Sequence, residues 1–163
     1  MTYTLIDSVT LGSSASSVTF SGISGTGKGD LVLSISPLSL TSSGYGGAAL
    51  ITFNGDTGSN YSYVFMRGNG STTASSSGTT TAIYGGYQTN SSYHSSFQCS
   101  ILDYSVTDKH KSTLNRDDTA ENATYARAYR WANTAAITSI EITGSGGSFA
   151  AGSTFHLYQI VSE

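Results

Sequence analysis

The sequence predicts an all-β fold, a two-sheet antiparallel β-sandwich of jelly-roll type, on three observations. Helical periodicity is almost absent, whereas short runs of alternating apolar and polar residues recur between clusters of Gly, Ser, Thr and Asn. The 11 Tyr and 6 Phe, with many Val, Ile and Thr, suit a pleated, half-buried surface, and 19 Gly supply turns. A hydrophobic content of 37% can fill a core, so the chain orders even though only 10% of residues are charged. Ser and Thr make up about a third of the chain, so hydroxyls replace charges on the solvent face.

Taken in order, strands are expected near residues 3–6, 18–23, 30–36, 48–53, 61–67, 79–84, 96–104, 111–114, 124–131, 137–142 and 154–161. Alternation assigns faces: Leu31, Leu33 and Ile35 oppose Val32 and Ser34, and Ile140 and Ile142 oppose Glu141 and Thr143. Asn54-Gly55-Asp56 predicts a tight reversal, because Asn and Gly both tolerate positive φ. The stretch from Gly68 to Thr79 reads as a long surface loop, and Gly144-Ser145-Gly146-Gly147-Ser148 as a hairpin turn joining the last two strands. With strands on both sides of that loop, residues 1–163 form a single domain.

Composition also limits partners. A formal net charge of −3 without a basic run lacks the electrostatic footprint of nucleic-acid binding, and no run reaches the length of a membrane span. The residues Met1 to Asp7 carry no basic or apolar leader region, which predicts synthesis in a cytoplasm without signal-peptide export. Cys99, the only cysteine, shares a strand face with Phe97 and Ile101 and is expected to be a buried, inert thiol.

Motifs that suggest chemistry have simpler readings. The stretch from Gly22 to Gly29 has P-loop spacing, but Gly29 stands where a Ser or Thr should reach magnesium, and a strand follows where a helix is required. The oxygens between Asn54 and Asn60 lack the acidic density of a calcium loop, and His94, His110 and His156 lack zinc-ligand spacing. Asp103, Asp108, Asp117, Asp118 and Glu121, interleaved with Lys109, Lys111 and Arg116, read as a solvated charged loop and not as a glycosidase pair. No Gly-x-Ser-x-Gly elbow joins a strand to a helix. No catalytic residue, metal or cofactor is assigned, and the chain is expected not to be an enzyme.

One segment stands out as a contact surface. Between Thr124 and Trp131 alternation places Tyr125, Arg127, Tyr129 and Trp131 on one side of a strand, an arginine among aromatics that could stack within the chain, dock a subunit or meet a glycan.

The runs Tyr3 to Leu11, Ser16 to Ile23, Asp30 to Leu33, Phe53 to Ser62, Asn133 to Ile142 and Ala151 to Ile160 together resemble a family of small virion proteins of tailed bacteriophages, of cyanophage and marine-phage type. The likeness covers most of the chain and is weakest at residues 38–47 and 68–96. It implies a structural role in head decoration or in a tail or fibre part, in the virion after synthesis in the bacterial host cytoplasm, and it brings no catalytic residues. The expectation is a capsid decoration or cement protein, assembled as a homotrimer on the major capsid protein or tail proteins. The alternative is an adsorption module of a tail fibre or spike that binds host glycan.

Overall fold

The computed structural model describes residues 2–24, 29–41, 47–88, 94–119 and 123–161. Twelve strands are present: β1 (Thr2–Thr10), β2 (Ser17–Ser21), β3 (Asp30–Leu38), β4 (Gly47–Phe53), β5 (Tyr61–Gly68), β6 (Thr73–Thr80), β7 (Ile83–Gln88), β8 (Ser95–Leu102), β9 (Lys111–Thr119), β10 (Ala123–Trp131), β11 (Ser139–Ser145) and β12 (Thr154–Val161). They form an eight-stranded sheet, β1-β12-β3-β8-β9-β10-β5-β6, and a four-stranded sheet, β2-β11-β4-β7. Every pairing is antiparallel, so the predicted all-β sandwich is the observed class.

The core lies between the sheets. Phe20, Ile51, Phe53, Ile140 and Ile142 of the small sheet bury against Leu31, Leu33, Ile35, Phe155 and Leu157 of the large one. Each such side chain contributes about 1.5–3 kcal/mol by leaving water. Cys99 is fully buried between Phe97 and Ile101, as its alternation predicted, and burial pushes its thiol up to about 12.

Three expectations change. Residues predicted as a long loop include β6, which pairs with the whole of β5 from Tyr61↔Thr80 to Gly68↔Thr73. Its sequence, Thr-Ala-Ser-Ser-Ser-Gly-Thr-Thr, is exposed nearly throughout, so no apolar alternation marks it and backbone pairing with β5 places it. The last two strands are not a hairpin: β11 lies in the small sheet and β12 in the large one, and the glycine-rich segment between them crosses the sandwich. The third correction concerns the acidic cluster. Asp117 and Asp118 belong to β9, Lys111 and Asp117 are buried, and among the described residues only Lys109 with Asp103 forms an exposed ion pair of the expected kind. Glu121 lies outside the described residues, as do residues 25–28 of the stretch from Gly22 to Gly29, after which β3 runs as a strand.

The Asn54 reversal is as expected. Asn54 and Gly55 adopt φ of 53° and 70°, and the Asp56 N–H donates to the Phe53 carbonyl at 2.9 Å, the pattern of a type I′ turn. Its side-chain oxygens are spent inside the chain. Asn54 Oδ1 accepts from the N–H groups of Thr138 and Ser139 at 2.8 and 3.1 Å. Asp56 accepts from Trp131 Nε1 at 2.7 Å, Gly58 N–H at 2.9 Å and Asn60 Nδ2 at 2.9 Å. Burial opposes ionisation of Asp56, but those hydrogen bonds outweigh it and hold the carboxyl below its ordinary range.

Candidate functional site

The four residues singled out on β10 do share a face, and it is the inner one. Tyr125, Tyr129 and Trp131 are buried, and the Arg127 side chain retains only 9% exposure. The reason is register, since β10 sits between β9 and β5 and its odd-numbered residues join the rows that continue the core. Trp131 meets Phe53 edge-on with ring centroids 5.6 Å apart, and the Tyr129 hydroxyl accepts the Tyr84 N–H of β7 at 3.2 Å, tying the two sheets. These rings are therefore not a solvent-facing contact surface. Their stacking is within the chain.

Arg127 is held from three sides. Its Nε and Nη2 donate to the two Asp117 carboxylate oxygens at 3.0 and 3.1 Å, a bidentate pair with Asp117 at 1% side-chain exposure. The guanidinium lies 4.0 Å from the Tyr125 ring centroid and 5.6 Å from that of Phe65. Burial alone would lower the arginine's pKa, but the hydrogen bond and charge of Asp117 overcome it and raise it.

The rest of the β9 inner face is equally polar, with Lys111, Thr113 and Asn115 buried beside Asp117. Lys111 donates from Nζ to the carbonyls of Val106, Lys109 and Thr134, the last two at 3.0 and 3.1 Å, so three backbone acceptors take its three protons. Burial lowers its pKa against the pull of Asp108 and Asp103. Every charged group of this face is used for holding the sandwich together.

The opposite face of the same strands has the reverse character. Val64 on β5, Met66 on β5 and Leu114 on β9 are exposed at 54%, 66% and 58%. Between them run the small residues Ala126 and Ala128 of β10, because Ala128 pairs with both Leu114 and Val64, and Ala126 with both Arg116 and Met66. The result is a furrow floored by alanines and walled by longer side chains, a hollow of about 510 Å³ that also touches Gln98 and Ser100. One of its rows crosses the whole large sheet: Leu5, Tyr158, Val32, Ser100, Leu114, Ala128, Val64 and Ser77 are consecutive cross-strand partners. Seven steps of about 4.8 Å make that row about 34 Å long.

The furrow offers contact and not reaction. Its polar lining is Ser75, Gln98, Ser100, Asn115, Arg116 and Arg127, with no histidine, cysteine or carboxylate. Among the described residues, no three of His, Cys, Asp and Glu come together in a way that could hold a metal ion. Sequence reading missed this face because nothing in Lys-Ser-Thr-Leu-Asn-Arg-Asp-Asp says that Leu114 points outward and Asp117 inward. The one available signal was the small, regular Ala126-x-Ala128 pair opposite the aromatics.

No protein-family model matches the chain, and no curated protein matches it. Among solved structures it is similar to a human SPRY domain at 10% identity and a TM-score of 0.24, over 96% of this chain and 99% of that one. A protein of unknown function from Shewanella oneidensis MR-1 is similar at 9% identity and a TM-score of 0.16, over 95% and 92%. Likeness at that level bears on neither the fold nor the function of this chain.

Proposed function

We propose that the protein is a non-enzymatic structural component of a tailed-phage virion, a capsid decoration protein that binds and stabilises the head shell. The observation that carries the contact role is the outward apolar furrow of Val64, Met66, Leu114, Ala126 and Ala128 on an otherwise hydroxyl-rich surface. Exposed, contiguous apolar surface rimmed by polar residues is what a protein interface requires. The virion assignment itself rests on the sequence resemblance. A rigid sandwich loses little conformational freedom on docking, and a shell offers many equivalent sites, so each copy reinforces its neighbours. The expected assembly is a homotrimer bound to the major capsid protein.

Labelling the protein on intact particles and imaging them tests this reading. Label spread over the head supports decoration. Label confined to the tail tip moves the protein to an attachment organelle, and particles without label overturn the virion role.

A further inference from the structure

The outward furrow is flanked by arginines whose side chains have no partner among the described residues. The sequence has seven Lys and Arg, of which Lys28 lies outside the described residues. Four of the remaining six are engaged: Lys109 with Asp103, Lys111 with three carbonyls, Arg127 with Asp117, and Arg67 with the Tyr125 hydroxyl at 3.4 Å. Arg116 and Arg130 are exposed, and neither side chain has a hydrogen bond or ion pair among the described residues. Both lie on the outer face: Arg116 opposite Ala126, and Arg130 opposite Ser112 on one side and Ser62 on the other. The nearest outward carboxylate in this grid, Asp118, is occupied by the backbone N–H and the hydroxyl of Ser96.

Geometry fixes the spacing of the two charges. Arg130 faces Ser112, and 116 − 112 is four residues along β9, so at about 3.4 Å per residue and about 4.8 Å between strands the two Cα atoms are about 14 Å apart. Leu114 and Ala128 occupy the row midway between them. An extended chain laid along β9 and β10 presents every second side chain to this face, with residues i and i+4 about 13.6 Å apart. We infer that the furrow between Arg116 and Arg130 takes an extended segment of a partner protein with the pattern acidic-x-apolar-x-acidic, its apolar side chain over Leu114 and Ala128 and its carboxylates on the two arginines.

This inference rests on the reading of the protein as a docking component and names what it docks. Charge complementarity selects the partner: a segment bearing cations is repelled at both ends of the furrow, and a neutral one leaves both arginines without a counter-charge. Phe65, the aromatic residue of the lining, packs its ring against Tyr125 and the Arg127 guanidinium.

The test uses the full chain and three synthetic extended peptides that share Leu at the central position and carry Glu, Gln or Lys at the two flanking ones. Binding is followed by chemical-shift changes of the protein. The Glu peptide is expected to move the signals of Leu114, Ala128 and Met66, with the Gln peptide about threefold to tenfold weaker and the Glu preference fading near 0.5 M salt. The double variant Arg116→Glu with Arg130→Glu, which disturbs no internal contact, should fold with an unchanged melting temperature and prefer the Lys peptide. Equal response to all three peptides, no response, or shifts confined to β1 overturns the inference.

Rebinding to particles stripped of the protein separates it from the broader reading. Loss of rebinding in the charge-reversed variant alone supports both. Rebinding that survives charge reversal overturns the inference and leaves decoration intact. Failure of the parent chain to rebind overturns decoration, and the peptide preference then decides the inference by itself.

Discussion

The two faces of β9, β10 and β5 are built from alternate residues of the same strands and have opposite chemistry. Inward lie Lys111, Thr113, Asn115, Asp117 and Arg127, buried. Outward lie Leu114, Val64 and Met66, exposed. The usual alternation puts apolar residues inside, and on β9 it is inverted. The three charged inner groups are tolerated because Arg127 and Asp117 partner each other and Lys111 donates to backbone carbonyls, whereas the outer apolar groups stand in solvent. A sheet that buries a lysine, an aspartate and an arginine and shows a leucine is arranged for something beyond its own folding.

The largest expected effect breaks the inner face. Asp117→Asn or Arg127→Met alone strands a buried group and should cost about 3–5 kcal/mol in urea unfolding. The double variant Asp117→Leu with Arg127→Met, which removes both charges, should recover most of that loss. If the single changes cost no more than the double one, the pair is not the organising contact of this face.

A second change tests how tightly the inner side is filled. Gly85 on β7 is buried, and a Cβ there would overlap the Phe97 ring, so Gly85→Ala should destabilise by about 1–3 kcal/mol. Equal stability would mean that the ring has room to move.

Alkaline pH separates the faces by another route. Burial raises the Cys99 thiol from 9.0 to about 12 and the Tyr61 phenol from 10.0 to about 12, while the outer furrow contains neither group. Folded values above unfolded ones give stability that is complete below pH 9.0 and is lost as pH rises toward about 12. Denaturation midpoints should therefore fall between about pH 8 and about pH 11, less steeply in Cys99→Ala and Tyr61→Phe. The Cys99 thiol should also resist aromatic disulfide reagents until the chain unfolds.

The smallest effect on stability belongs to the outer face. Leu114→Ser should shift unfolding by no more than about 0.5 kcal/mol, because the side chain is already in water. Particle rebinding should nevertheless fall sharply. A stability loss as large as that of Asp117→Asn would show that the outer leucine supports the fold.

Alternation was enough to find most strands, the inward triplet Leu31, Leu33 and Ile35, the buried setting of Cys99 and the turn at Asn54-Gly55, because each is encoded within a few neighbouring residues. It was also enough to put Tyr125, Arg127, Tyr129 and Trp131 on one side of β10. Period-two patterning states which residues share a face, but not which face is inside. That choice is made by neighbours distant in sequence: β5 and β9 flank β10, and Phe53 and Tyr84 of the small sheet cap Trp131 and Tyr129. The same long-range pairing turned a serine-rich stretch into β6 and sent β11 and β12 to different sheets. Local residue chemistry determined that this chain is a β-sandwich with few charges. Only tertiary pairing decided that two of its arginines and the exposed Leu114 would meet on one open face, because register sums constraints from strands that no local window contains.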